Sequence, residues 1–265
     1  MPSDPLAFDP HRFRTAAAHY RAGRAPYPPA LIRRVAEEVM LGGDSRVLDL
    51  GCGPGQLAIG FAYFAGEVVG LDPEPRMLTA AAEAALCLTP NAHFRQGSSY
   101  DLSPDLGRFR LVVMGRSFHW MDRPATLDRL DRMIETGGAV ALFHDAHLDV
   151  PENAWRKRWK EIIEHYASGD PAREQRNTIT WVSHKAVLLS SPFCRLEKFS
   201  LIARQISTTE SLIERALSMS STSRARIGER ADDMTADLSA LMAEIAPNGM
   251  TTEVLEWTAL IARRP

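Results

Sequence analysis

The sequence predicts an α/β fold: a largely parallel sheet with helices on both faces. Two observations carry this reading. Five short apolar stretches recur between Val47 and Phe143, and segments of helical periodicity or polar loop separate them. The first helix begins at Pro28, a residue suited to an opening turn; Leu31, Val35 and Val39 repeat every four residues until Gly42-Gly43 ends the run. Strands are expected at Val47 to Leu50, Val68 to Leu71, His93 to Gln96, Leu111 to Met114 and Ala139 to Phe143. Leu57, Phe61, Phe64 and Ala65 form one core stripe, and Leu127, Leu130 and Ile134 another. After His144 the pattern changes, and residues 146–190, with Trp155, Trp159, Tyr166 and Trp181 among many charges, read as a helical cap insertion. Two longer strand patterns, 195–207 and 252–264, close the chain as a hairpin-like pair around helical sequence from Thr209 to Ile245.

Composition narrows the function. The chain has 265 residues, 45% of them apolar and 24% charged, enough for one large core in a single domain. Its 31 basic and 33 acidic residues are mixed along the sequence, giving a net charge of -2 and no electrostatic reason for a nucleic-acid partner. A small-molecule partner is expected instead, and the oligomeric state is left open. Cys52, Cys87 and Cys194 are odd in number and far apart, which indicates neither a disulfide framework nor a zinc site. With no apolar run of membrane-spanning length and no signal-like start, a cytoplasmic location is the expectation.

The stretch Val47-Leu-Asp-Leu-Gly-Cys-Gly-Pro-Gly55 carries the chemistry. A dinucleotide fingerprint needs a third glycine where this chain has Gln56, and a pyrophosphate would be repelled by an acid as close as Asp49. A cationic ligand reverses that logic. Gly51, Gly53 and Gly55 bring bare backbone near a ligand, and Asp49 suits an ammonium, directly or through water. Asp72, at the end of the second strand, suits the two hydroxyls of a ribose. Ammonium plus ribose points to S-adenosylmethionine.

These segments, VLDLGCGPG and VVGLDPEPRML, resemble motifs I and II of the class I S-adenosylmethionine-dependent methyltransferases. The resemblance implies a Rossmann-like, seven-stranded, mostly parallel sheet whose last strand is antiparallel. It narrows through Tyr20, Arg24-Ala25-Pro26-Tyr27-Pro28 and Phe118-His119-Trp120-Met121-Asp122, which look like the type 11 small-molecule branch that includes trans-aconitate methyltransferase-like proteins. Within a single methyltransferase domain, it implies an N-terminal lid over residues 1–30, a cofactor core over 31–145, the cap over 146–190 and C-terminal strands and helices over 191–265. Tyr20, Arg24 and Tyr27 would close over the methionine end, Pro73 and Met77 would lie against adenine, and Ser98, Ser99 and Tyr100 would wrap it. Many relatives carry an acid where this chain has Ser98, so a serine oxygen or a backbone carbonyl would take over the adenine contact.

The acceptor site is read from fewer signals. His119 follows the fourth strand, with an ordinary pKa near neutrality, and is either a proton acceptor or a pocket wall. Arg116 and Ser117 begin the same loop; an inward Arg116 would explain an acidic acceptor, whereas an outward one is only solvated. Trp120, His144 and Trp155 are further pocket candidates, although Trp155 and Trp159 stand one helical turn apart and also fit plain packing. His144, Asp145 and His147 are too small a group to indicate a metal. The expected reaction is methyl transfer to an oxygen or nitrogen of a small organic acceptor, a carboxylate among the options. The alternatives are a regulatory module that binds the cofactor without transfer, and an NAD-linked oxidoreductase, which Asp49 and Gln56 disfavour.

Overall fold

The computed structural model describes residues 8–265, except 87, 168, 172, 173 and 175–177. Cys87 and part of the 146–190 cap therefore lie outside the described residues. Seven strands form one sheet: β1 (Arg46–Leu50), β2 (Glu67–Asp72), β3 (Ala92–Gln96), β4 (Phe109–Gly115), β5 (Ile134–His147), β6 (Arg195–Thr208) and β7 (Met250–Arg263). Their order is β3-β2-β1-β4-β5-β7-β6. The first five run parallel, and β7 lies antiparallel between β5 and β6.

The helices are α1 (Ala17–Gly23), α2 (Pro29–Glu38), α3 (Gln56–Ala62), α4 (Pro75–Ala85), α5 (Arg123–Asp131), α6 (Arg156–Tyr166), α7 (His184–Leu189), α8 (Thr209–Leu217), α9 (Arg224–Ile227) and α10 (Arg230–Ile245). β1 is buried on both sides, which explains why Val47, Leu48 and Leu50 are all apolar, with only the cavity-lining Asp49 breaking the run. Val47 points into one core with Leu31, Val35, Leu57 and Phe61. Leu48 and Leu50 point into the opposite core with Leu127, Leu130 and Phe193. A third core lies outside the sheet, where Trp159 and Ile163 of α6 meet Leu212 of α8 and Leu238 of α10.

Two expectations are corrected. β5 runs from Ile134 to His147, well beyond Ala139 to Phe143, because a register shift between Phe109 and Leu111 lets β4 pair with both Ile134 and Ala139. Ile134 accordingly belongs to that strand and not to the stripe of α5. Within 146–190, α6 packs against α8 and α10 from later sequence, while α7 packs onto the sheet side through Val187 and Leu188.

Candidate active site

The chain leaves β1 through a turn with left-handed backbone at Gly51 (φ 71°) and Gly53 (φ 52°), then enters α3. The amides of Gly51 and Cys52 both donate to the Leu71 carbonyl, at 2.8 and 2.9 Å, which ties the turn to the end of β2. A Cβ on Gly51 would lie 2.6 Å from Ser117 Cβ, so the β4 loop presses directly on the turn. Gly55 instead packs beneath it, against Ala81 and Phe94.

Two carboxylates flank this turn. Asp49 accepts from the Ala58 amide at 2.9 Å, and Asp72 accepts from the Gly53 and Glu74 amides at 2.8 and 3.0 Å. Both are buried. Burial raises Asp49 to about 7 against the Ala58 hydrogen bond, with Asp72 adding repulsion. It raises Asp72 to about 6 against its two amide bonds.

Both carboxylates line one cavity of about 440 Å³, a size suited to small molecules. The glycine-turn end is completed by Gly51, Gly53, Gln56, Pro73, Met77, Ser98 and Ser99. Tyr20, Arg24 and Tyr27 reach it from the N-terminal segment; Arg116, Ser117, His119 and Trp120 reach it from the β4 loop, and His144 from β5. Gly55, Tyr100 and Trp155 are not in the wall. The exposed Tyr100 ring meets Phe8 at 5.1 Å, and the Trp155 indole donates to the Thr252 carbonyl at 3.3 Å, so the tryptophan joins the helical layer to β7.

Arg116 points inward, but it is not free for an acidic acceptor. Its Nε donates to Asp145 at 2.5 Å, its Nη2 donates to the Ala25 carbonyl at 2.9 Å, and the guanidinium lies 4.5 Å above the Tyr27 ring. Burial works against the Asp145 carboxylate, yet the charge and hydrogen bond of Arg116 hold it below its ordinary range. The Tyr27 hydroxyl is buried without a hydrogen-bond partner, and its residue lines the cavity. Arg24 donates through Nε to Ser218 at 2.8 Å. Ser98 donates to Asp101 at 2.7 Å and accepts from the Tyr100 amide at 3.2 Å, so its hydroxyl proton is already placed.

Sequence reasoning missed Asp145 as a wall residue, along with His184 and Ser220-Ser221. His184 begins α7 behind the cap Ser183, and the two serines follow α8; only the tertiary fold brings these positions to the cavity. His144, Asp145 and His147 are divided among different partners: Asp145 serves Arg116, while His147 meets Glu253 at 2.6 Å. Among the described residues no group of His, Cys, Asp and Glu is arranged to hold a metal ion, and no helix is long and apolar enough to cross a membrane.

The architecture is the Rossmann-like fold of class I methyltransferases. Residues 47–138, which contain the glycine turn and both carboxylates, match the family of methyltransferase domains. The chain is 27% identical over 208 residues to an uncharacterised methyltransferase of Mycobacterium tuberculosis H37Rv, covering 78% of this chain and 76% of that one. Two solved structures share the fold. A candidate type II methyltransferase of Anaeromyxobacter dehalogenans aligns with TM-score 0.63 and 21% identity over 91% of this chain and 97% of its own. A Geobacter sulfurreducens S-adenosylmethionine-dependent methyltransferase, solved with S-adenosyl-L-homocysteine, aligns with TM-score 0.55 and 17% identity over 98% and 100%. The protein is a methyltransferase.

Proposed function

We propose that this methyltransferase uses S-adenosylmethionine to methylate an oxygen or nitrogen of a small organic acceptor, as in the type 11 small-molecule branch. The observation that carries the reading is the pair of buried carboxylates, Asp49 and Asp72, on either side of a glycine turn in a single cavity. The residues fit the cofactor. Asp49 and the Gly51 to Gly55 turn suit its methionine portion, with Tyr20, Arg24 and the unpartnered Tyr27 hydroxyl closing that end. Asp72 suits the ribose, while Pro73, Met77 and the segment from Ser98 to Leu102 suit adenine. When bound, the cofactor supplies a methyl group made electrophilic by its sulfonium.

The chain's own part is alignment and water exclusion, which supply much of the rate of an in-line displacement. Residues 8–27 serve as a lid. Phe13 meets Trp120, His19 meets Glu214 at 2.8 Å and Arg24 meets Ser218, so one segment closes against both the β4 loop and α8. His119, in the cavity wall, is the residue to receive a proton from the acceptor. Titration calorimetry with S-adenosylhomocysteine tests the cofactor assignment: Asp72→Ala is expected to weaken binding by about tenfold or more, the worth of one good polar contact. An unchanged affinity would refute it.

A further inference from the structure

The side of the cavity away from Asp72 carries five ring side chains in unbroken contact. Phe13 meets Trp120 edge-on at 5.5 Å between centroids, and Trp120 lies 4.7 Å from His119. His119 lies 6.2 Å from His184, with the two rings 23° from parallel, and His184 lies 5.2 Å from Phe118. All five line the cavity. They arrive from three separate places: the lid, the turn after β4 and the start of α7. The wall is also braced from outside. Arg12 lies 4.8 Å over the Trp120 ring, and Arg123 donates to His184 Nδ1 at 3.3 Å while resting 3.9 Å over Trp181.

The charges of the lining argue in the same direction. Asp49 and Asp72 belong to the glycine-turn end, and Arg116 is matched by Asp145. Arg24 is held at the lid by Ser218, where it faces the methionine end of the cofactor in the reading above. Among the described residues, no further Lys or Arg lines the cavity. A carboxylate entering here would lose its hydration without gaining a permanently charged partner, a costly exchange. A flat neutral ring would gain edge-to-face and offset contacts with the wall.

Resting on the methyltransferase reading, we propose that the acceptor is an uncharged aromatic hydroxyl compound, a phenol, seated against Phe13, Trp120, His119, His184 and Phe118. In the transfer the phenol's O–H proton passes to the His119 imidazole as the oxygen–methyl bond forms. The methyl–sulfur bond breaks, and its electron pair stays on sulfur.

Matched acceptors test this: naphthol against naphthoate and cresol against toluate, each with methyl-labelled cofactor. Methyl ethers of the phenols are expected to form at least about tenfold faster than esters of the acids, a difference of roughly one desolvated charge contact. Calorimetry supplies a second readout. Naphthol binding to the protein saturated with S-adenosylhomocysteine is expected to weaken about tenfold in Phe13→Ala and in Trp120→Ala, beyond any change in S-adenosylhomocysteine affinity, and to recover in Trp120→Phe. Faster esterification, no transfer to either phenol while S-adenosylhomocysteine binds, or naphthol affinity indifferent to both truncations would overturn the inference. Failure of S-adenosylhomocysteine itself to bind would instead overturn the reading on which it rests.

Discussion

Arg215 grips Glu253 with both terminal nitrogens, Nη1 to Oε2 at 2.6 Å and Nη2 to Oε1 at 2.9 Å, while its Nε holds the Gly23 carbonyl at 3.0 Å. Gly23 ends α1, so a buried ion pair between α8 and β7 sets the position of the lid. The fit is close: a Cβ on Gly23 would lie 2.3 Å from the Arg215 backbone nitrogen. His147, Ser207 and Gln205 join Arg215 as partners around the fully buried Glu253 carboxylate.

Glu253→Gln removes the charge and strands the Arg215 guanidinium in the interior. A loss of about 3 kcal/mol is expected, read from the urea midpoint. The pH dependence follows from the same contacts. Burial alone would raise the Glu253 pKa, but bonds from His147, Arg215 and Ser207 hold it below the ordinary value of 4.5. The folded protein therefore binds this proton less readily than the unfolded chain. Its stabilisation is complete above pH 4.5 and is lost as pH falls below that value toward the folded pKa. Glu253→Gln is expected to lack that part of the acid decline.

The two cavity carboxyls behave in the opposite sense. Asp49 and Asp72, raised to about 7 and about 6, keep protons in the folded protein that the unfolded chain has already released. Without ligand, their contribution to stability is greatest in acid and falls as pH rises through these values. S-Adenosylhomocysteine, with an ammonium and ribose hydroxyls, favours the ionised carboxylates. Its affinity is therefore expected to rise between about pH 5 and pH 8, with proton release seen by calorimetry in buffers of different ionisation enthalpy. Asp49→Asn is expected to remove the upper part of that rise. A flat profile in the unaltered protein would contradict the assignment.

The glycines of the turn separate two kinds of strain. At Gly53 a Cβ finds only Met77 Sδ at 4.0 Å, so Gly53→Ala is expected to lose about 1 kcal/mol from the left-handed backbone alone. At Gly51 the same strain is joined by the 2.6 Å clash with Ser117 Cβ, and Ser117 also donates to the Leu50 carbonyl at 2.7 Å. Gly51→Ala is expected to be the less stable of the two by thermal unfolding and to lose more S-adenosylhomocysteine affinity.

Trp155→Ala serves as a contrast. The indole joins the helical layer to β7 and stands outside the cavity wall, so roughly 2 kcal/mol of stability is expected to go while S-adenosylhomocysteine affinity stays within twofold. A selective loss of ligand binding would bring this residue back to the site.

Four of the first five strands were legible from short, largely apolar runs, and Val47 to Leu50 faces a core on either side, whereas the edge strand β3, Ala-His-Phe-Arg-Gln, is mostly exposed. The ends of β5 were not legible, since its irregular pairing at Phe109 and Leu111 depends on a neighbouring strand. The glycine turn declared itself because left-handed backbone and two nearby acids are local properties. The opposite wall gave weaker signals: His184 is an ordinary first helical residue until the fold sets it beside His119 and Phe118. Trp155 erred the other way, because an aromatic at helical spacing looks the same whether it packs between elements or faces a ligand.

The contrast between those two walls reaches beyond this molecule. Asp49, Asp72 and Ser98 lie within fifty residues of one another, at or just past the ends of adjoining parallel strands, whereas Phe13, Trp120 and His184 converge from distant segments. Changes in the distant segments can remodel what is accepted while the donor's berth is inherited intact. Descendants of such a protein would be expected to diverge in diet before they diverge in chemistry.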